Sequence, residues 1–302
     1  MERGLFVRPA IQRKVEPVSG NSGTGIGIIA GNGAFPFEIL ESLRRAGHEP
    51  FMVCLRGFVN PRDEYLHDVR HAWADMLDPK RIIALLRENK IERVVLGGGV
   101  SRPGPMALLS IYSFFRNRDE LRRIVSGGDD RILRGVVRLF EENGFSVVGI
   151  DEIASDLLAP AGLLGGLAVH EAVSADISLA LSCLHDMGRY DLGQGLVVAE
   201  GRILAIEGPE GTDAMLERVR QMQKNRRVIL EGVSAILVKA AKPGQDRRVD
   251  LPAIGPRTIK SAKAAGLAGI AIKAGEVVLI HRRLLKQEAD RAGLFVLGVG
   301  SS

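Results

Sequence analysis

Apolar runs of β-type residues alternate with helical patterns through the first half of the chain, and this alternation narrows the possible folds more than any other feature. "GIGIIAG", "EPFMVCLRG", "IERVVLGGG" and "FSVVGI" read as strands. Between them, "PFEILESLRRAG" has Pro36 in its first turn, "DPKRIIALLRENK" is opened by Asp78, and Met106–Phe115 and Asp130–Asn143 carry helical patterns. Strands separated by helices must pair in parallel, and strands apolar on both faces must be covered on both. Residues 24–150 therefore predict an α/β, Rossmann-like parallel-sheet domain.

The grammar then changes. The stretch 151–170, which opens "DEIASDLLAPAGLLGG", is rich in Ala, Leu, Gly and Pro, lacks clear periodicity and reads as a linker and hinge. Residues 171–302 predict an α+β domain. The helix "EAVSADISLALSCLHDMG" leads to a hairpin, "GLVVAEGRILAIEG", turning at Glu200-Gly201, and then to the helix "TDAMLERVRQMQKN". A second hairpin, "GIAIKAGEVVLI", is expected to turn at Ala274-Gly275 before the helix "RRLLKQEADRAG", making a weak internal repeat.

A length of 302 residues agrees with two domains. Of these residues, 46% are hydrophobic and 25% charged, enough to build cores and too apolar for wholesale disorder. The formal charge of +5 is modest and aromatics are only 5%, which disfavours a nucleic-acid partner and fits a small anionic ligand or an anionic membrane surface. Cys54 and Cys183 lie far apart in apolar surroundings, as reduced thiols do, and suggest neither a disulfide framework nor a zinc site. Residues 1–23 read as a loose basic arm lacking the apolar core of a signal peptide. The run "LLAPAGLLGGLAV" is well short of the roughly 20 residues that span a bilayer.

Glycine-rich turns mark the candidate site. Gly31, Asn32 and Gly33 lie between a strand and a helix, where exposed N–H groups and the helix dipole favour a phosphate or nucleoside; a tight turn alone is the other reading. Pro36 replaces the third glycine of a dinucleotide fingerprint and the next strand ends without an acid, so NAD binding is disfavoured. Gly99, Ser101 and Arg102 follow a second parallel strand and would lie beside the first loop, with Arg102 able to grip a phosphate; a flexible turn with a solvated arginine is the other reading. Asp129 and Asp130 open a helix, one as N-cap by default, with a ligand or metal contact as the alternative. Gln194 leads into the first hairpin, and Thr212 or Asp213 caps the helix after it unless both face a ligand.

The most unusual stretch is "KAAKPGQDRRVDLPAIG". Lys239, Lys242, Arg247 and Arg248 crowd Asp246 and Asp250, while Pro243 and Pro252 forbid continuous regular structure. A solvated charged face is one reading. The other is diphosphate hydrolysis, which needs cations against phosphate oxygens and a carboxylate to hold a divalent metal or orient water. Neither a Nudix box nor a two-metal phosphoesterase set is present, so hydrolysis would rest on a different constellation.

Taken in order, "GIIAGNGAFP", "GGGVSRP", "GGDD", "DLGQG", "EGTDAM" and "KPGQDRRVDLPAIG" resemble the LpxI-type UDP-2,3-diacylglucosamine pyrophosphatases over about residues 24 to 300. The resemblance implies hydrolysis of UDP-2,3-diacylglucosamine to UMP and 2,3-diacylglucosamine 1-phosphate (lipid X) in lipid A biosynthesis. It also implies Mg²⁺ as cofactor, a second domain of unusual fold and a ligand cleft between the domains. The essential aspartate of that family falls in its "RVDLP" segment, which places the catalytic and metal-binding role on Asp250. Lys242 and Arg248 are then expected to offset diphosphate charge. Gln194, Thr212 and Asp213 would meet the sugar-phosphate region, and the glycine loops would meet ligand from the other domain. "PMALLSIYSFF" and "LLAPAGLLGGLAV" are candidate acyl-chain surfaces, with ordinary core as the other reading of both. The implied substrate places the protein in the cytoplasm, peripherally on the inner leaflet of a Gram-negative inner membrane; a homodimer is left open. The alternative is a non-catalytic nucleotide- or lipid-binding regulator on the same scaffold.

Overall fold

A computed structural model describes residues 25–99, 129–167, 173–190, 192–230 and 234–300. The arm 1–23, the helical pattern at Met106–Phe115, and Ser101 and Arg102 lie outside these residues.

The first domain is built on five parallel strands: β1 (Gly25–Ala30), β2 (Phe51–Leu55), β3 (His71–Ala74), β4 (Ile91–Gly97) and β5 (Ser146–Val147), in the order β3-β2-β1-β4-β5. All five residues of β2 are buried, as a strand covered on both faces requires. Helix α1 (Phe35–Arg45) packs Phe37, Ile39, Leu40 and Leu43 against Ile26, Ile28 and Met52. Helices α2 (Pro79–Glu88) and α3 (Asp129–Glu142) cover the opposite face, where Leu86 and Phe140 meet Ile29, Val53 and Val94. Gly27 permits this approach, because a Cβ there would lie 2.9 Å from Leu86 Cδ2. Asp78 caps α2 as expected, accepting from Arg81 N–H at 3.0 Å. The sequence reading did not include β3, whose "HAWA" is only partly buried at the sheet edge.

A short helix, α4 (Ile150–Ile153), and a 3-10 turn lead to the second domain. Its six-stranded mixed sheet contains β6 (Gly162–Gly165), β7 (Gly195–Ala199), β8 (Arg202–Ile206), β9 (Ile236–Lys239), β11 (Gly269–Lys273) and β13 (Phe295–Val299), in the order β6-β13-β11-β9-β7-β8. Strand β6 thus lies within the stretch expected to link the domains. Helix α5 (Val173–Met187) covers one face through Ile177, Ala180 and Leu184. Helices α6 (Thr212–Lys224), α7 (Pro256–Ala264) and α8 (Arg282–Ala292) cover the other.

The hairpin of β7 and β8 turns at Glu200-Gly201 as expected, with φ of 49° and 73°. The second hairpin does not form. Strand β11 is flanked in parallel by β9 and β13, and β12 (Val278–Leu279) instead pairs in parallel with β10 (Ala253–Ile254) in a separate two-stranded sheet. The reason lies in burial. Val277 and Leu279 enter the core of the second domain, while Val278 points into that of the first, so the apolar run is used to join two cores. The expected repeat is therefore absent. The junction is tightened by a Leu158–Val278 bridge and by Glu38 Oε1, which lies 2.7 Å from His281 Nδ1.

Candidate functional site

Strand β9 delivers the chain to the cation-rich loop at Lys239, and the loop ends at Pro252 before β10. Within it, Gly244 takes a φ of 72°, and the carbonyl of Asp246 accepts from the N–H groups of Val249 and Asp250 at 3.1 and 3.2 Å. The loop thereby folds into one tight turn. Asp246 accepts from Arg248 Nε at 2.9 Å and Nη2 at 2.7 Å, while Arg248 Nη1 lies 2.7 Å from Glu141 of α3. Arg134 Nη2 also donates to the Gly244 carbonyl at 3.2 Å, so the first domain holds the loop at two points. The Arg248 hydrogen bonds hold the Asp246 carboxyl below the ordinary carboxylate range, and Asp246 and Glu141 raise the Arg248 guanidinium above its own.

Asp250 follows this anchored turn. Its Oδ2 accepts from Gln194 Nε2 at 3.1 Å and from the Gln245 side-chain amide. Gln245 also donates to the Asp250 carbonyl at 2.6 Å and accepts the Lys242 backbone N–H at 2.9 Å. Gln194 is itself held between strands, its carbonyl accepting from Ala240 N–H at 3.1 Å. The structure thus brings together Asp250 and Gln194, which are 56 positions apart, and adds Gln245, which the sequence reading did not single out. A glutamine flanked by cations carries no sequence signal for that role.

Arg248 is engaged by two carboxylates, so its charge is shared with the loop's own anchor. Thr212 and Asp213 diverge. Thr212 donates to Glu207 Oε1 at 2.8 Å and accepts from Lys239 Nζ at 2.5 Å, whereas Asp213 lies 2.7 Å from Arg257 and accepts from Ser261 at 3.0 Å. Neither caps α6; its N-cap is Gly211, with a φ of 83° and no side-chain hydrogen bond. Lys239 and Glu207 form a pair at 3.4 Å with side chains only 5% and 11% exposed. Among the described residues Glu207 Oε2 is nonetheless a buried oxygen with no hydrogen-bond partner, and Lys239 Nζ, which donates to Thr212, meets it only as an ion pair. Gly195 makes this cluster possible, since a Cβ there would lie 2.7 Å from Glu207 Oε2. Lys239 reads in sequence as a member of the charged loop, and "IEGPEG" reads as a turn, so nothing in the sequence marks this pair as buried.

In the first domain the two glycine loops meet as expected. Asn32 and Gly99 exchange backbone hydrogen bonds at 2.7 and 3.0 Å, and Gly31 N–H donates to the Gly97 carbonyl at 2.8 Å. Gly98 must be glycine, because its φ is 90° and a Cβ would lie 2.6 Å from the Asn32 carbonyl oxygen. The loops leave the carboxyl ends of β1 and β4, the neighbours at which the strand order reverses and where sheets of this kind receive ligands. Asn32, Gly33 and Gly99 are exposed there. Asp129 and Asp130 stand in the first turn of α3.

Comparison with known proteins assigns both halves. Residues 25–157 match the LpxI N-terminal domain, and residues 160–297 match the LpxI C-terminal domain. The chain is 39% identical over 276 residues to the UDP-2,3-diacylglucosamine pyrophosphatase LpxI of Caulobacter vibrioides, covering 91% of this chain and 97% of that protein. Among solved structures, the biotin carboxylase domain of a thermophilic 2-oxoglutarate carboxylase bound to ADP shares 15% identity at a TM-score of 0.26, over 70% of this chain and 43% of that one. Glycinamide-RNase-transformylase T from Mycobacterium tuberculosis shares 15% at a TM-score of 0.22, over 63% and 45%. The chain spans under half of each of those two structures, and the scores are too low to carry an argument.

Proposed function

This chain belongs to the LpxI family, and on that premise we propose that it hydrolyses the diphosphate of UDP-2,3-diacylglucosamine. Water adds to one phosphorus, the bond to the bridging oxygen breaks, and UMP and 2,3-diacylglucosamine 1-phosphate leave. The observation that carries the reading is the Asp250 carboxylate, held by two side-chain amides in a cation-rich loop that the first domain anchors.

In this reading Asp250 is the catalytic carboxylate, which would orient water or hold Mg²⁺, whose chemistry there would be to polarise the diphosphate. Gln194 and Gln245 fix its orientation, which keeps the reacting geometry from being reorganised during each turnover. Lys242 offsets charge on the scissile group. Arg248 acts mainly by holding the loop to α3 through Glu141, and it offers its remaining field to the diphosphate. The backbone of Gly31, Asn32, Gly33 and Gly99 would cradle ligand from the first domain, and ligand contacts by Ser101, Arg102, Asp129 and Asp130 belong to the same proposal on the grounds of sequence alone. Thr212 and Asp213 would reach the sugar-phosphate region from the start of α6.

The donor set suits Mg²⁺. This ion is usually held through one or two carboxylates together with substrate phosphates and water, and does not need an all-protein cage. Asp250 supplies the carboxylate, with the side-chain amides of Gln194 and Gln245 beside it; among the described residues no group of three His, Cys, Asp or Glu side chains forms such a cage. Bound there, Mg²⁺ would neutralise developing charge on the diphosphate.

The acyl chains of the substrate call for an apolar surface at the inner leaflet. In the second candidate run, Leu163 and Leu167 are 51% and 64% exposed, whereas Leu157 and Leu158 are core. The first candidate run lies outside the described residues. No described helix is long and apolar enough to cross a membrane, which is compatible with peripheral contact. The test is product analysis after incubation with UDP-2,3-diacylglucosamine. Equimolar UMP and 2,3-diacylglucosamine 1-phosphate are expected; release of UDP, or intact substrate, would refute the proposal.

A further inference from the structure

We propose that a cavity of about 370 Å³ beside the 240–247 loop is a phosphomonoester subsite, receiving the phosphate that ends one half of the substrate after cleavage. This rests on the hydrolase reading above and gives that reading a place for one product. The volume falls within the range of small-molecule sites.

Position is the first argument. The parallel strands β9 and β11 end at Lys239 and Lys273, and the cavity opens directly beyond them, at the sheet edge where α/β folds receive ligands. Leu181 and His185 of α5 form one wall. Charge is the second argument. Among the described residues that line the cavity, the cations Arg247 and Lys273, with Lys242 beside them, outnumber the carboxylate of Glu276. Arg247 donates to the Gly275 carbonyl and Lys273 to the Gly300 carbonyl at 3.2 Å. Neutral carbonyls orient Arg247 and Lys273 without cancelling their charge. A phosphomonoester, with a charge near −2 at neutral pH and three acceptor oxygens, complements that excess.

Connection to the reacting group is the third. Gln245 forms part of the wall, and its amide donates to the Asp250 carboxylate and carbonyl. A phosphate in the cavity is thus one side chain away from Asp250.

Two phosphomonoesters share this chemistry, UMP from the nucleotide half and a sugar 1-phosphate from the other. Titration calorimetry on the full chain with UMP, glucosamine 1-phosphate and uridine separates them. At least one phosphomonoester should bind while uridine does not. Lys273→Met should weaken that binding by about fivefold and Glu276→Gln should tighten it by a similar factor, as expected for one partly exposed charge. Binding of UMP alone assigns the cavity to the nucleotide half, and binding of glucosamine 1-phosphate alone assigns it to the sugar half. Absence of binding by both, or equal affinity in wild type and both variants, would overturn the subsite. Charge-dependent binding by a wild-type protein that leaves UDP-2,3-diacylglucosamine intact would support the subsite and refute the hydrolase reading instead.

Discussion

Two side-chain amides hold the Asp250 carboxylate in one orientation, and each should matter in proportion to the turnover it preserves. Gln194→Leu removes one of them at similar volume. UMP release should fall about tenfold or more, the rough worth of one charge-assisted hydrogen bond, with little change in the urea midpoint. The buried cluster behind this site should behave in the opposite way. Lys239→Met leaves Glu207 without its counter-charge at a position only 11% exposed, and should cost about 3 kcal/mol in urea denaturation. Asp246 gives a pH signature. Its folded carboxyl is held below the ordinary value of 3.8 by Arg248, so its contribution to stability is fully present above that pH and is lost as pH falls through the lower folded value. The stability gap between wild type and Asp246→Asn should therefore stay constant at neutral and mildly acidic pH and close below pH 3.8; a gap that widens on acidification would contradict the assignment.

At the level of elements, the β7–β8 hairpin is legible in sequence because its turn residues demand positive φ, but the device that holds it is not. Asp176, buried in α5, accepts from the backbone N–H groups of Glu200 and Gly201 at 2.8 and 2.6 Å, tying helix to turn. Asp176→Ala leaves both amides without that partner, so a loss of about 2 kcal/mol is expected by thermal or urea unfolding. The missing second hairpin shows where pattern reading stops. An apolar run followed by Ala-Gly and another apolar run fits a hairpin locally, yet Val278 is buried in the core of the other domain. Such a contact is set by tertiary packing, which a period of two cannot encode. The cap of α6 fails for a related reason: Thr212 is drawn to Glu207 and Lys239, and Gly211 takes the left-handed turn instead.

For the whole molecule, the parallel first domain, the mixed α/β fold class and the family were readable, because each rests on a repeated local pattern or an ordered set of motifs. The contacts that assemble the site were not. Gln194 reaches Asp250 across 56 positions and Arg248 reaches Glu141 across 107, distances at which only the folded sheets decide who meets whom. The same interdomain contacts make the loop a property of both domains, held by α3 on one side and by β9 on the other. The most direct test of this account is UMP release from UDP-2,3-diacylglucosamine by wild type and Asp250→Ala, each with Mg²⁺ or with EDTA. The account predicts release by wild type with Mg²⁺, its loss in EDTA, and a decrease of at least about 10²-fold in a variant that unfolds like wild type. An Asp250→Ala protein that releases UMP at the wild-type rate would contradict it.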